Sequence, residues 1–240
     1  MDPVPLNQDP EAVYALSEQL LGASQQESFP YEYDINGRPF LVFANVFSPK
    51  HLPGAETFSR MLPFVPGIDF LEIGPGTGAV SVFAALAGAR RVVAVDINPD
   101  AVANTRANAE KHGVADRVDV REGDVFGPLE PGERFDLIFW NFPFGYVEPG
   151  MELTPLQRST LDPGYEATRR YVAEGPGRLE PGGLLTLGFS ETIGRLDLVE
   201  RIAAEAGLVA RVIRRAPPQP QLPMTFELIE LAPRTKGIAG

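Results

Sequence analysis

Two short segments carry residue types whose spacing could do chemistry. The first is Glu72-Ile73-Gly74-Pro75-Gly76-Thr77-Gly78, which follows an apolar run over residues 68–73. Its glycines permit a tight turn and a close backbone approach to a ligand. Gly74, Gly76 and Ala79 also satisfy the dinucleotide pattern, with Asp96 about twenty residues on. The loop alone therefore fits both NAD and S-adenosylmethionine. Carboxylates divide the two. Glu72, just before the glycines, would oppose a pyrophosphate and tolerate a cationic sulfonium. Asp96 ends a second apolar run, where it can accept from both ribose hydroxyls. Asp124, in Gly123-Asp124-Val125, follows a third run and could accept from an adenine amino group. The second segment is Trp140-Asn141-Phe142-Pro143-Phe144-Gly145-Tyr146. A polar Asn141 at the end of an apolar run needs a reason. The plain alternative is a strand end followed by a proline turn, with the aromatics in the core.

These segments need a scaffold, and the periodicity supplies one. Residues 9–21 predict an amphipathic helix. Asn36-Gly37 between the runs 31–35 and 39–43 predicts a hairpin, because a type I′ turn needs positive φ at both central residues. Residues 55–64 predict a helix that leads into the core. From residue 68 the pattern alternates: strands at 68–73, 91–96, 117–122, 135–140 and 183–189, and helices at 79–87, 99–111, 165–179 and 197–206. The helix at 165–179 is interrupted or ended near Gly175-Pro176-Gly177. Strands at 208–214 and 225–231, joined by a proline-rich loop over 217–223, are too close for a crossover helix and pair antiparallel. Short buried strands alternating with helices imply a mostly parallel sheet covered on both faces. Ligands of such sheets bind at the carboxyl ends of the strands, near the switch in strand order. The Asn141 turn is expected two strands away from the glycine loop in that order. Residues 1–66 read as a cap of helix, hairpin and lead-in helix, and residues 67–240 as the catalytic core.

The ordered motifs over residues 70–190 resemble those of class I S-adenosylmethionine-dependent methyltransferases. The resemblance implies an α/β, Rossmann-like, doubly wound, seven-stranded sheet with an antiparallel C-terminal strand. It places Glu72, Gly74, Gly76 and Gly78 around the methionine part of the cofactor and Asp96 on the ribose. It packs Ile97 on the adenine and sets Asp124 and Val125 at the adenine edge. Residues 47–58, with Thr57, resemble the segment before the core in glutamine and nucleobase N-methyltransferases. Thr57 is thus a candidate to reach the cofactor, or a helix-surface residue.

Asn141-Phe142-Pro143-Phe144 resembles the Asn-Pro-Pro-Tyr/Phe motif of amino-methyltransferases of the release-factor glutamine and nucleobase type. In that motif's chemistry, two acceptors take the N–H bonds of a planar nitrogen and let it pyramidalise. The Asn141 side-chain oxygen and the Phe142 carbonyl would be those acceptors. Phe144 would stack on the planar group and, with Asn141, lie near the sulfonium. Phe142 departs from the family's proline, which predicts a less stiff loop and a narrower pocket.

The long segment 145–165 reads as a lid whose Glu148, Glu152, Asp162 and Glu166 could hold a cationic substrate, or as a solvated loop. Tyr146, and Tyr31 and Tyr33 of the hairpin, are further candidates to shape the pocket, with edge packing as the alternative for the hairpin pair.

Composition trims the rest. There is no cysteine and there are two histidines, so thiolate chemistry and His-rich metal sites are excluded. The net charge of −11 disfavours a polyanionic partner. The pairs Arg90-Arg91, Arg169-Arg170 and Arg214-Arg215 read as solvated element ends. No apolar run is long enough to span a bilayer, and no signal-peptide pattern opens the chain, so a cytoplasmic location is expected. The leading expectation is N-methylation of a small amide, guanidine or amine compound, such as an amino acid or guanidino metabolite. The alternative acceptor is a protein glutamine or a nucleobase. An NAD-dependent oxidoreductase and a non-catalytic binding protein are the readings from other classes. The oligomeric state is not legible.

Overall fold

The computed structural model of the protein describes residues 5–217 and 224–234. Local chemistry starts each element. Asp9 caps α1 (Pro10–Ser24): its carboxylate accepts from the Glu11 and Ala12 amides, and Pro10 fills a first-turn position that needs no N–H. Asn36 and Gly37, at φ of 52° and 78°, join β1 (Tyr31–Ile35) to β2 (Arg38–Val42) as the expected hairpin. After α2 (Gly54–Met61) come β3 (Asp69–Ile73), α3 (Ala79–Leu86), β4 (Arg91–Asp96), α4 (Pro99–Lys111), β5 (Val118–Glu122) and β6 (Phe135–Asn141).

The 145–165 segment is more regular than a lid loop. β7 (Gly145–Val147) pairs in parallel with β8 (Leu161–Pro163), and a 3₁₀ turn at Gln157–Ser159 lies between them. Val147, Leu161 and Tyr165 are buried. Their spacing is too wide to show as a period of either kind. α5 (Glu166–Glu174) then stops at Gly175, with a 3₁₀ turn over Gly175–Arg178. β9 (Leu179–Phe189), α6 (Leu196–Glu205), β10 (Leu208–Arg215) and β11 (Glu227–Pro233) complete the chain. The proline-rich loop expected over 217–223 lies, beyond Pro217, outside the described residues.

Seven strands form one sheet in the order β10-β11-β9-β6-β3-β4-β5. β3, β4, β5, β6 and β9 are parallel, and β11 runs antiparallel to both of its neighbours. Successive strand residues face opposite sides. A strand such as β3, in which every residue is buried, is therefore covered on both faces. The order turns at β3: β4 and β5 lie on one side, β6 and β9 on the other. The glycine loop follows β3 and Asn141 ends β6, so the two motifs are on adjacent strands, one closer than the sequence suggested. Among the described residues, no helix is long and apolar enough to cross a membrane.

The N-terminal segment is tied down by polar side chains of α4. Asn108 Oδ1 accepts from the Leu41 amide at 2.8 Å, while its Nδ2 donates to the carbonyls of Leu41 and Thr77, each at 2.8 Å. Asn104 accepts from the Phe43 amide at 2.9 Å and donates to the Leu41 carbonyl at 2.9 Å. The hairpin and the glycine loop are thus fastened to the same helix.

Candidate active site

At the carboxyl ends of β3, β4 and β6 lies a cavity of about 170 Å³. One part of its wall is Gly74, Pro75, Gly76 and Thr77. Gly74 has φ of 63°, and a Cβ there would lie 3.0 Å from Trp140 Nε1, so the turn requires glycine twice over. Gly78 lies off the wall. It starts α3 at φ of 77°, and a Cβ on it would meet the backbone of Thr105 at 2.9 Å.

Asp96 is on the wall and buried, held by the Gly76 amide at 3.1 Å and the Asn98 amide at 2.9 Å. Burial raises its pKa to about 6, against the lowering effect of those amides. Beside it Ile97 is 38% exposed and lines the cavity, a large apolar side chain only partly covered by protein. Asp124 and Val125 complete this end. Val125 is buried at φ of 50°, and Asp124 pairs with Arg170 of α5 at 2.8 Å.

Two further expected cofactor residues stand off the wall. Thr57 is buried in α2, off the wall. Glu72 points from β3 to Ser81 of α3, also off the wall, and burial raises its pKa to about 8. Glu72 is then neutral near pH 7. It is therefore not, in the free protein, the anion beside the glycines that the sequence predicts, because the strand is covered on both faces.

The acceptor end is built on Asn141. Its Oδ1 is buried and has no hydrogen-bond partner, a condition that costs about 1–3 kcal/mol unless something outside the chain fills it. Gly54 of α2 leaves it room: a Cβ there would stand 2.9 Å from Asn141 Nδ2. Phe142 does not loosen the turn. Its ring stacks on Phe189 at 5.8 Å and 13° and takes Phe144 and Tyr165 edge-on. The Phe144 carbonyl accepts from Tyr165 Oη at 2.6 Å. The stiffness that a proline ring would give is supplied by packing. Asn141, Phe142, Pro143 and Phe144 all line the cavity.

None of the residues expected to hold the substrate lines the cavity. Tyr146 packs edge-on against Tyr165, and Glu148 and Glu152 are exposed away from the wall. Asp162 is buried and accepts from the Thr168 amide at 2.9 Å and hydroxyl at 2.7 Å, starting α5. Tyr31 bonds Ser48, and Tyr33 is half-buried in the hairpin, its pKa raised first by burial and then by Glu56. The wall is closed instead by Ser17 and Leu20 of α1, by Phe47 and Leu52, and by Arg158 with its neighbours Pro155, Ser159 and Thr160. Thr160 is held there by its carbonyl, which accepts from the Gly145 amide at 2.9 Å. Nothing in the local pattern around Arg158 distinguishes it from the other arginines; only the β7–β8 pairing brings it to the site.

A family model described as a methyltransferase domain matches residues 70–161. A protein of Methanocaldococcus jannaschii, provisionally assigned as a protein N5-glutamine methyltransferase, is 31% identical over 172 residues, covering 70% of this chain and 84% of that one. The release factor glutamine methyltransferase of Geobacter sulfurreducens is 33% identical over 210 residues, 79% of this chain and 70% of the relative. Among solved structures, a tRNA methyltransferase of Methanocaldococcus jannaschii superposes with a TM-score of 0.57 at 15% identity. That match covers 88% of this chain but only 59% of the other, so it speaks for the fold alone.

Proposed function

The chain belongs to the class I S-adenosylmethionine-dependent N-methyltransferases of the release-factor glutamine type, and on that premise we propose that it methylates the side-chain amide nitrogen of a glutamine in a protein. The observation that carries the proposal is the buried, unpartnered Asn141 Oδ1 in a cavity wall beside Phe144. Two further facts favour a protein amide over a cationic metabolite. The two relatives described above are both named for glutamine as the acceptor. The acidic side chains that would have held a cation, Glu148 and Glu152, face away from the cavity.

The residues present fit the cofactor: a partly exposed Ile97, a turn with glycine at 74 and 76, and a buried Asp96 bonded only by amides. In our reading, Gly74 and Gly76 flank its methionine part and Asp96 accepts from the ribose hydroxyls. Ile97 and Val125 pack on the adenine, and Asp124 takes its amino edge. Glu72 and Gly78 support the loop from behind. Bound S-adenosylmethionine supplies a methyl group activated on a sulfonium. Asn141 Oδ1 and the Phe142 carbonyl accept the two amide N–H bonds, which withdraws the nitrogen lone pair from the carbonyl. Phe144 covers the planar amide, and Trp140 and Phe142 exclude water. The carboxylates on the wall, Asp96 and Asp124, belong to the cofactor end, so the proton leaving the nitrogen passes to solvent.

Incubation with labelled cofactor and glutamine-containing proteins, followed by peptide mass spectrometry, should place the label on a glutamine side chain. Asn141→Ala should still bind S-adenosylhomocysteine while turnover falls on the order of 10²-fold. Label found only on free amino acids or guanidines would overturn the acceptor assignment. Unchanged turnover in the variant would overturn the role of Asn141.

A further inference from the structure

Arg158 is the only basic residue on the described cavity wall, and the fold does not use its charge. Its segment is well held. The Arg158 amide donates to the Thr154 carbonyl at 3.1 Å, Gln157 Nε2 donates to Glu18 at 3.0 Å, and Ser159 Oγ donates to the Leu156 carbonyl at 2.6 Å. The bond from Gly145 to the Thr160 carbonyl ties this segment to the turn that carries Asn141 and Phe144. Arg158 therefore belongs to the acceptor end. Yet among the described residues its guanidinium makes no hydrogen bond and no ion pair.

That is unexpected in a chain with 32 Asp and Glu against 21 Lys and Arg. Other arginines near the site are paired, Arg170 with Asp124 and Arg195 with Asp197. Glu148 and Glu152, a few residues before Arg158, do not reach it. The charges on the wall are segregated as a result, with Asp96 and Asp124 at the cofactor end and a lone cation at the other.

We propose that Arg158 is a specificity-determining residue that binds a carboxylate carried next to the methylated amide. The preferred acceptor is then a glutamine with an adjacent negative charge. The planar guanidinium matches a carboxylate with two parallel N–H bonds. This rests on the glutamine reading above. The carboxylate has two possible sources: the α-carboxylate of a terminal or free glutamine, or an Asp or Glu side chain beside an internal one.

The test uses the full chain and five probes. Three are capped peptides, Ala-Asp-Gln-Ala, Ala-Ala-Gln-Ala and Ala-Lys-Gln-Ala. The others are Ala-Ala-Gln with a free carboxylate, and free glutamine. KM and kcat are measured for the wild type, Arg158→Ala and Arg158→Glu. Binding without turnover is read from Trp140, the single tryptophan and a wall residue, in the presence of S-adenosylhomocysteine.

The wild type should show about tenfold lower KM for a carboxylate-bearing probe than for the neutral one, with similar kcat. The free-carboxylate and Asp probes tell the two sources apart. Arg158→Ala should erase the preference, and Arg158→Glu should transfer it to the Lys probe. If neutral and acidic probes behave alike, or the preference survives in Arg158→Ala, the anchor is refuted and the glutamine reading stands. If acidic probes bind in an Arg158-dependent way but none is methylated, the glutamine reading falls and the anchor stands. If no probe binds or reacts, both fall.

Discussion

Asp96 and Glu72 are two buried carboxyls at the ends of neighbouring strands, and burial raises the pKa of both. Their consequences differ. The proposed ribose contact needs the ionised form of Asp96, whose pKa in the free protein is about 6. Affinity for S-adenosylhomocysteine should therefore hold at neutral pH and weaken below about pH 6, approaching tenfold per pH unit. Calorimetric titrations at several pH values check this, and Asp96→Asn should bind weakly with the slope gone. Glu72 touches no ligand in our reading, so its titration acts on stability. Its pKa rises from an ordinary 4.5 to about 8 on folding. The folded state holds the proton more tightly, so stability declines as pH climbs between those values, by about 1.4 kcal/mol per unit, and then levels. Glu72→Gln keeps a partner for Ser81 and removes the titration. Its Tm should exceed that of the wild type at about pH 8 to 9, with the gap closing toward about pH 5. A gap independent of pH would refute the assignment. The sequence showed both carboxyls at the right strands. It could not show that Glu72 is neutral, because which way a side chain points from a doubly covered strand is a property of the assembled sheet.

The alternation of strands and helices was readable because the central strands are short, mostly apolar runs followed by glycine or capping residues. What was not readable is how elements distant in sequence meet. Asn104 and Asn108 lie on a helix, where asparagine ordinarily reads as solvent-facing. Here both are buried and replace a strand partner for the backbone of Leu41 and Phe43. Asn108 also holds the Thr77 carbonyl, so the hairpin and the glycine loop share one side chain. Truncation in Asn108→Ala leaves the Leu41 amide and the Thr77 carbonyl short of a partner, while the Leu41 carbonyl keeps Asn104. It should cost about 2–3 kcal/mol in chemical denaturation, beyond the reach of a surface substitution. Asn108→Asp should do no better, since it keeps the acceptor for Leu41 but turns a second oxygen on the two carbonyls. A loss under about 0.5 kcal/mol would mean the contacts are not made. The β7–β8 pair escaped the sequence for the same reason, and with it went the position of Arg158. The acidic residues of that segment looked like the substrate contacts because they outnumber the one base, but the pairing sets the base, itself exposed, at the cavity wall.

At the scale of the whole molecule the architecture does not choose the acceptor, since the same sheet is shared with a tRNA methyltransferase. Charge does choose. Enzymes of polyanions gain much of their affinity by neutralising phosphates. This chain carries −11. Its basic pairs are largely consumed internally: Arg90 and Arg91 on Asp69, Arg170 on Asp124, Arg215 on Glu227. The cavity wall offers one free cation, too few to hold a nucleic-acid backbone and enough for a single carboxylate. Binding to tRNA or to duplex DNA should thus be undetectable even at low salt, where electrostatic association is strongest. Labelled cofactor should leave RNA unlabelled under conditions that label a protein glutamine. A low-salt mobility shift that disappears on raising the ionic strength would overturn this reading of the charge. Label in RNA would move the acceptor from an amide to a nucleobase amine, for which Asn141 and Phe142 offer the same two acceptors and Phe144 the same flat aromatic cover.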